Sequence, residues 1–496
     1  MSQRSMEQRI DRRTLLGAAG AGVAGGALLA HVPPARARAA AAAAGPNVLV
    51  LVLDSLRYDH VGANGNAWIR TPNIDALARE SVRFTRAFPE AMPTVPARRS
   101  LLTSRRVYPW TTWRPTRNLP DSPGWTGLGW SEQTWLRALR AHGYWTGYVT
   151  DNPFLAFASA WKPLRRGVDR FMRIGGQVGA LRPASTVSLA SARHWLPRDM
   201  QTDGYVSGMR QHLANLGGAR DEREQCCARV FSHALDVLGS AQRSKKPFAL
   251  VVDCFDPHEP WAPVRKYRDM YGDDGYRANE PGNVRYRPAR YLTGDELRRL
   301  PQLYAAAVTQ TDAWLGHFLG RFYDAGLADS TAIVLLSDHG IVLGDRGWTG
   351  KPALQLHPEL IQVPFLLRAP DRRGAGTTSG YFASPHDVGP TLLAMTGVPR
   401  PERMDGADLS PLLSGGAPAT PRPFWFGGYA NHWYYRDDRW ALIADGNNRG
   451  RGLYDLRKDP GERDNVASEH LRLLAQIHGT VLRAAGLKRL PYFGAR

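Results

Sequence analysis

Short, uninterrupted apolar runs alternate along this chain with longer stretches in which apolar positions recur at helical spacing. Asn47-Val-Leu-Val-Leu-Val-Leu53 is nearly all apolar and stops at Asp54-Ser55. A strand with one wet face would alternate, so a continuous run bounded by polar residues indicates a parallel strand buried on both faces. The pattern recurs in Phe248-Ala-Leu-Val-Val-Asp-Cys254, which runs into Asp256-Pro257-His258, and in Ala332-Ile-Val-Leu-Leu336, which runs into Ser337-Asp338-His339; Val363-Pro-Phe-Leu-Leu367 follows. Helices are expected between them, at 71–80, 131–142, 221–240 and 295–324. This alternation predicts an α/β fold with a large, doubly wound, mostly parallel sheet flanked by helices. Ligands bind such sheets beyond the carboxyl ends of the strands, where three of the polar clusters fall.

Past about residue 415 the pattern changes to short strand-like pieces at 423–429, 433–436 and 440–444, then a helix over 468–485, which indicates a smaller C-terminal α+β subdomain. Ahead of the first strand, Asp11-Arg12-Arg13-Thr14-Leu15-Leu16 opens a weakly apolar Gly/Ala run that ends near Ala30 and is followed by Ala37-Arg38-Ala39. Paired arginines before a mild apolar stretch are the twin-arginine type of export signal, too short and Gly-rich to serve as a stable membrane anchor. The expected plan is a signal peptide over 1–44, a catalytic domain over 45–415 and the subdomain over 416–496, in a protein exported to the periplasm or medium.

The formal net charge is +19. The first 40 residues hold six Arg against Glu7 and Asp11, so about +15 belongs to the rest and favours anionic substrates. The basic residues are dispersed rather than interleaved with aromatics, so no nucleic-acid partner is expected. Three cysteines exclude a disulfide scaffold; Cys226 and Cys227 are adjacent, and Cys254 lies in an apolar run. The oligomeric state is not written in the sequence.

Two strand-end carboxylates, Asp54 and Asp338, and the imidazole of His339 are a plausible ligand set for one divalent cation, although a strand-terminal Asp is often only a helix cap. Met92-Pro93-Thr94-Val95-Pro96-Ala97-Arg98 has the pattern of a tight turn feeding a helix. Thr94 near that helix N-terminus is either a nucleophilic hydroxyl at an anion-binding position or a cap; Arg98, one turn on, offers its fork to an oxyanion or makes a surface pair. Trp110, Trp113, Trp125 and Trp130 either stack on a sugar or aryl ring or form loop core.

Taken together these segments resemble the sulfatase family of the alkaline phosphatase superfamily. The resemblance rests on 47–62 (NVLVLVLDSLRYDHVG), Thr71-Pro72-Asn73-Ile74-Asp75, the turn at 94–104, Ser337-Asp338-His339-Gly340, Gly350-Lys351-Pro352, and later blocks at 405–413 and 453–462, all in the family's order. It implies that Asp54, Asp338 and His339 hold the metal with Thr94, that Thr94 is the nucleophile, and that Arg98 orients it. It further implies that His258 protonates the leaving group and Lys351 holds the anionic ester. The substrate is then a small anionic ester, and the cofactor one divalent cation, Ca²⁺ or Mn²⁺ first, with Zn²⁺ and Mg²⁺ as alternatives.

The chain also departs from the pattern. Sulfatases place Cys or Ser where this chain has Thr94, and that residue is oxidised to formylglycine. Threonine cannot give the aldehyde, because its carbinol carbon carries a methyl group, so formylglycine is not expected. The usual Asp-Asp pair reads Asp54-Ser55, and the usual Lys-x-His element is replaced by Thr150-Asp151-Asn152, with Asn152 a candidate for binding the ester oxygens. With His339 among the ligands, the site is similar to that of the phosphonate monoester hydrolase branch. The reading is a metal-dependent hydrolase of sulfate or phosphate esters. The alternatives are a phosphodiesterase or phosphoryl transferase with an unmodified threonine, and a silent anion-binding homologue.

Overall fold

The computed structural model describes residues 45–272 and 275–494. The export reading and the 1–44 segment therefore lie outside the described residues. Among the described residues, no helix is long and apolar enough to cross a membrane.

In chain order the strands are β1 (Asn47–Leu53), β2 (Val82–Phe84), β3 (Ala91–Met92), β4 (Trp145–Thr150), β5 (Arg170–Arg173), β6 (Phe248–Cys254) and β7 (Thr331–Leu336). They continue with β8 (Val342–Leu343), β9 (Thr349–Gly350), β10 (Phe365–Arg368), β11 (Thr378–Ser379), β12 (Phe424–Tyr429), β13 (His432–Asp437), β14 (Trp440–Asp445) and β15 (Gly452–Asp455). The main sheet runs β11-β2-β10-β7-β1-β6-β4-β5, with β1 at its centre, parallel to β6 on one side and to β7 on the other. The apolar run is thus the doubly buried strand its pattern predicts. Leu49, Leu51 and Leu53 face the core formed with α2 (Cys226–Arg243) and α3 (Gly294–Asp324). Val48, Val50 and Val52 face the core that includes α1 (Thr94–Thr103) and the helices Trp135–Ala141 and Val388–Thr396.

The Val363–Leu367 run departs from the parallel pattern: β10 is antiparallel to both β7 and β2. A buried apolar run looks the same in either direction, so only the connection decides. The chain leaves the carboxyl end of β7 and re-enters the sheet at that same end, so residues 337–364 stay there instead of crossing over. That segment carries Asp338, His339 and Lys351.

The C-terminal strands form a second sheet, β15-β14-β13-β12-β3, against which α4 (Leu471–Ala485) packs through Leu474, Ile477 and Val481. Its edge strand β3 comes from far earlier in the chain and ends two residues before Thr94, pairing Met92 with Tyr429. The second sheet thereby fixes the start of α1. Cys226, Cys227 and Cys254 are free and buried. Trp110, Trp113 and Trp125 are buried as loop core, whereas Trp130 is exposed.

Candidate active site

The site lies where β1, β6 and β7 end. Asp54 extends the β1 ladder by one bond, its N–H donating to the Cys254 carbonyl at 3.0 Å. Ser55 then turns the chain at φ +61°, a left-handed conformation that costs a non-glycine residue roughly 1 kcal/mol. The turn is held by two bonds: Ser55 N–H donates to Asp338 Oδ1 at 3.0 Å, and Ser55 Oγ donates to Asp54 Oδ1 at 2.8 Å. A serine in place of the second aspartate therefore serves as a donor that aims Asp54. Gly340 admits no side chain, because a Cβ there would lie 2.2 Å from the Glu359 carbonyl oxygen.

One ligand atom from each of Asp54, Asp338 and His339 lies within 4.8 Å of the others, all buried. His339 Nδ1 lies 2.9 Å from the Gly340 carbonyl, an acceptor only, so Nδ1 carries the proton and Nε2 the lone pair. Nε2 is 3.2 Å from Asp338 Oδ2, 3.9 Å from Asp54 Oδ1 and 3.4 Å from Thr94 Oγ1. Burial pushes the His339 imidazole down to about 4, so it is neutral near pH 7, as a metal ligand must be. Burial, and then the Asp338 charge, push the Asp54 carboxyl well above its ordinary range. Asp338, by contrast, is brought down to about 2 against its own burial by Arg98 and His339.

Thr94 is the first residue of α1, one past the cap position, which Pro93 holds, and its hydroxyl bonds the His339 imidazole rather than the helix backbone. It thus points into the carboxylate cluster. Arg98 turns into the same cluster one turn later. Its Nη1 bonds Asp338 Oδ2 and lies 3.1 Å from Asp54 Oδ2, while Nη2 bonds Asp253 Oδ1 at 2.7 Å. The fork expected to face an oxyanion is thus engaged by three carboxylates. Asp253 is a participant that the strand pattern passed over; it also accepts from the Tyr148 hydroxyl at 2.8 Å. A charged residue one position from the end of a wholly buried strand was the available signal.

In formal charges, three buried carboxylates face one guanidinium, an excess of two negative charges. Asp54 Oδ2 meets Arg98 Nη1 at 3.1 Å but outside hydrogen-bond geometry. Two carboxylates, an imidazole lone pair and a hydroxyl, carrying more negative charge than Arg98 offsets, fit a divalent cation.

On the other side of the cluster, the His258 ring stacks on Phe255 with centroids 4.0 Å apart and its Nδ1 donates to the Glu259 carbonyl at 2.6 Å. Burial lowers its pKa to about 3, and the positive charge of Lys351 adds to the effect. In the free protein His258 is therefore neutral, with its lone pair on Nε2. Lys351 Nζ donates to both Glu259 oxygens at 2.8 Å and lies 4.9 Å from the Tyr286 ring centre. The Tyr286 hydroxyl also donates to Glu259. The lysine is aimed by a carboxylate that the sequence reading did not single out, although it adjoins His258. Gly350 ahead of it has φ +77°, and a Cβ there would strike the Tyr286 ring at 2.1 Å. Asn152 sits apart from these bonds: its Oδ1 accepts Phe154 N–H at 3.0 Å and Leu155 N–H at 3.3 Å, capping the helix Pro153–Phe157, while its buried Nδ2 makes no hydrogen bond.

With strand-end carboxylates, an imidazole and a helix-borne hydroxyl gathered on this sheet, the chain belongs to the sulfatase family, whose sulfatase domain matches residues 46–398. A second family, the C-terminal part of N-sulphoglucosamine sulphohydrolase, matches residues 344–483. The chain is thus a sulfatase-family hydrolase of alkaline phosphatase-like fold. It is 28% identical to the multifunctional alkaline phosphatase superfamily protein PehA of Trinickia caryophylli, over 76% of this chain and 78% of that protein. It is 25% identical to an arylsulfatase of Clostridium perfringens, over 85% of this chain and 90% of the relative. Among solved structures, the phosphonate monoester hydrolase of Agrobacterium radiobacter superposes with a TM-score of 0.68 at 23% identity, over 89% of this chain and 96% of that one, which shows the shared fold.

Proposed function

We propose that this chain hydrolyses small anionic sulfate, phosphate or phosphonate esters by direct attack of the unmodified Thr94 hydroxyl, in an enzyme exported by the twin-arginine route. The observation that carries the reading is Thr94 Oγ1, bonded to His339 Nε2 at 3.4 Å beside Asp54 and Asp338. The arylsulfatase relative supports the sulfur side, and the multifunctional relative and the phosphonate monoester hydrolase support the phosphorus side.

Asp54, Asp338 and His339, with Thr94 as a fourth donor, would hold a divalent cation, which supplies Lewis acidity at the hydroxyl and at the ester oxygens. Thr94 Oγ bonds to sulfur or phosphorus as the bond to the leaving oxygen breaks, and the hydroxyl proton passes to solvent. Lys351, shared with Glu259 in the free protein, turns part of its charge to the ester's anionic oxygens. His258 gives its Nε2 proton to the leaving oxygen; it acquires that proton once an anionic ester beside it raises its pKa. Water then opens the threonine ester, and His258 takes a proton from that water.

The test is kcat for parent, Thr94→Ser and Thr94→Ala on aryl sulfate, phosphate diester and phosphonate substrates with metal-replete protein. Thr94→Ala should lose on the order of 10³-fold or more, and Thr94→Ser should retain turnover. Parent-like turnover in Thr94→Ala overturns the proposal in favour of a different nucleophile; no turnover by the parent on any substrate favours the anion-binding alternative.

A further inference from the structure

Arg98 and Arg99 are neighbours on α1 but face about 100° apart. Arg98 enters the carboxylate cluster, whereas Arg99 opens onto a groove of about 450 Å³ between the C-terminal half of α1 and the 105–132 loop. None of Asp54, Thr94, His258, His339 or Lys351 lines it. At 1.5 Å per residue, Thr103 at its edge is about 14 Å along the helix from Thr94. The groove is therefore distinct from the site described above.

Its charges are unbalanced. Four arginines line it, Arg99, Arg105, Arg106 and Arg114, against the single carboxylate of Glu132, which is already bonded to Arg99. Among the described residues, Arg105, Arg106 and Arg114 have no carboxylate within ion-pair distance. Arg105 and Arg114 are exposed. Arg106 is held in place: its guanidinium lies 3.7 Å from the Phe426 ring centre and 4.9 Å from that of Trp425, one Nη donates to the Phe426 carbonyl, and its buried Nε makes no bond. The buried Glu90 carboxylate also acts on Arg106, but from beyond ion-pair distance and with its oxygens accepting the Val107 and Tyr108 N–H groups, so the guanidinium, ordered by two aromatic rings, keeps an unmet donor for a further anion.

Three carbonyls near the negative end of α1 are already engaged. Leu101 O accepts Trp135 Nε1 at 3.0 Å, Ser100 O accepts Ser104 N–H at 2.9 Å, and Arg99 O accepts Thr103 Oγ1 at 2.7 Å. The volume exceeds what one oxyanion fills and suits a sugar-sized molecule. Trp110 and Trp113 wall the groove, and neither offers its indole N–H: they donate to Ala430 O and Trp125 O.

We propose that this groove is a second binding site, for a small ligand bearing sulfate, phosphate or carboxylate groups held by Arg105, Arg106 and Arg114. The proposal does not depend on the chemistry at Thr94.

Calorimetric titration of inorganic sulfate and of a disulfated disaccharide into metal-replete parent and into Arg105→Ala/Arg114→Ala tests it, at two NaCl concentrations. Both arginines are exposed, so the variant should keep the parent's melting temperature and its turnover of a minimal aryl ester. The parent should show one more anion site than the variant, weakened by salt, or the same site at about tenfold lower affinity in the variant. Tighter binding of the disaccharide than of sulfate assigns the groove to sugar-borne anions; equal binding assigns it to free oxyanions. Equal stoichiometry and affinity in parent and variant overturn the proposal. Thr94→Ala, titrated in parallel, should keep the groove site, so loss of the groove and loss of the nucleophile read out separately.

Discussion

Replacing Lys351 with Met separates stability from catalysis. Lys351 and Glu259 are almost wholly buried, with side-chain exposures of 3% and 5%, and the ammonium contacts both carboxylate oxygens at 2.8 Å. Removing one partner of such a pair leaves an uncompensated buried charge, at a cost of about 3–5 kcal/mol. Glu259 then retains the Tyr286 hydroxyl but no cation. In the parent, Lys351 and His258 offset burial and hold Glu259 down to about 2. Its ionised form therefore contributes stability that is full above the unfolded value of about 4.3 and is lost as pH falls through about 2. In Lys351→Met the carboxyl rises, so the deficit should be greatest near pH 7 and shrink as pH falls below about 5. Adding Glu259→Gln removes the stranded charge and should recover most of the stability, while turnover stays low because the ester's cation is gone. Urea unfolding followed by tryptophan fluorescence at pH 7 and 5, with initial rates on one aryl ester, reads both effects. The reasoning fails if Lys351→Met unfolds within about 0.5 kcal/mol of the parent, or if the double variant is as unstable as the single.

Asp338→Ala should lower metal content and melting temperature together, since bound metal stabilises the native state by mass action; unchanged values in elemental analysis and calorimetry count against the ligand set. His258→Ala should slow esters with poor leaving groups about 10²-fold or more and activated aryl esters far less, so a uniform loss across leaving groups would assign the residue to positioning. Burial and the neighbouring Asp256 push Asp151 up to about 8. The native state therefore holds a proton that the unfolded state has released, and stability should fall between pH 7 and 8 with a slope of up to about 1.4 kcal/mol per pH unit. Asp151→Asn should flatten that slope, and an unchanged one contradicts the assignment.

What could be read from the sequence was what depends on local pattern. Buried apolar runs announced β1, β6 and β7, and because side chains just past such strands must lie at one sheet edge, Asp54, Asp338 and His339 could be grouped before their contacts were known. Direction was not legible at β10, since burial on two faces leaves the same mark on a strand running either way. Partners distant in sequence were not legible either. Glu259 meets Lys351 across 92 residues, and β3 joins β12 from the other end of the chain. Local competition also hid a role. Asn152 follows a strand and precedes Pro153, which is the pattern of a helix cap, and its Oδ1 is used that way. Thr94 had the same ambiguity; the cap position itself falls to Pro93, and the Thr94 hydroxyl bonds His339 Nε2.

The central claim is that Thr94 itself carries the transferred group. It is tested most directly by acid-quenching metal-replete parent during turnover of its best substrate and mapping peptide masses. The account predicts a peptide containing Thr94 that is heavier by one sulfuryl or phosphoryl group, absent before substrate is added and absent in Thr94→Ala, with unmodified threonine in the resting protein. An adduct on another residue, or Thr94→Ala turning over at the parent's rate with no adduct on this peptide, would contradict it.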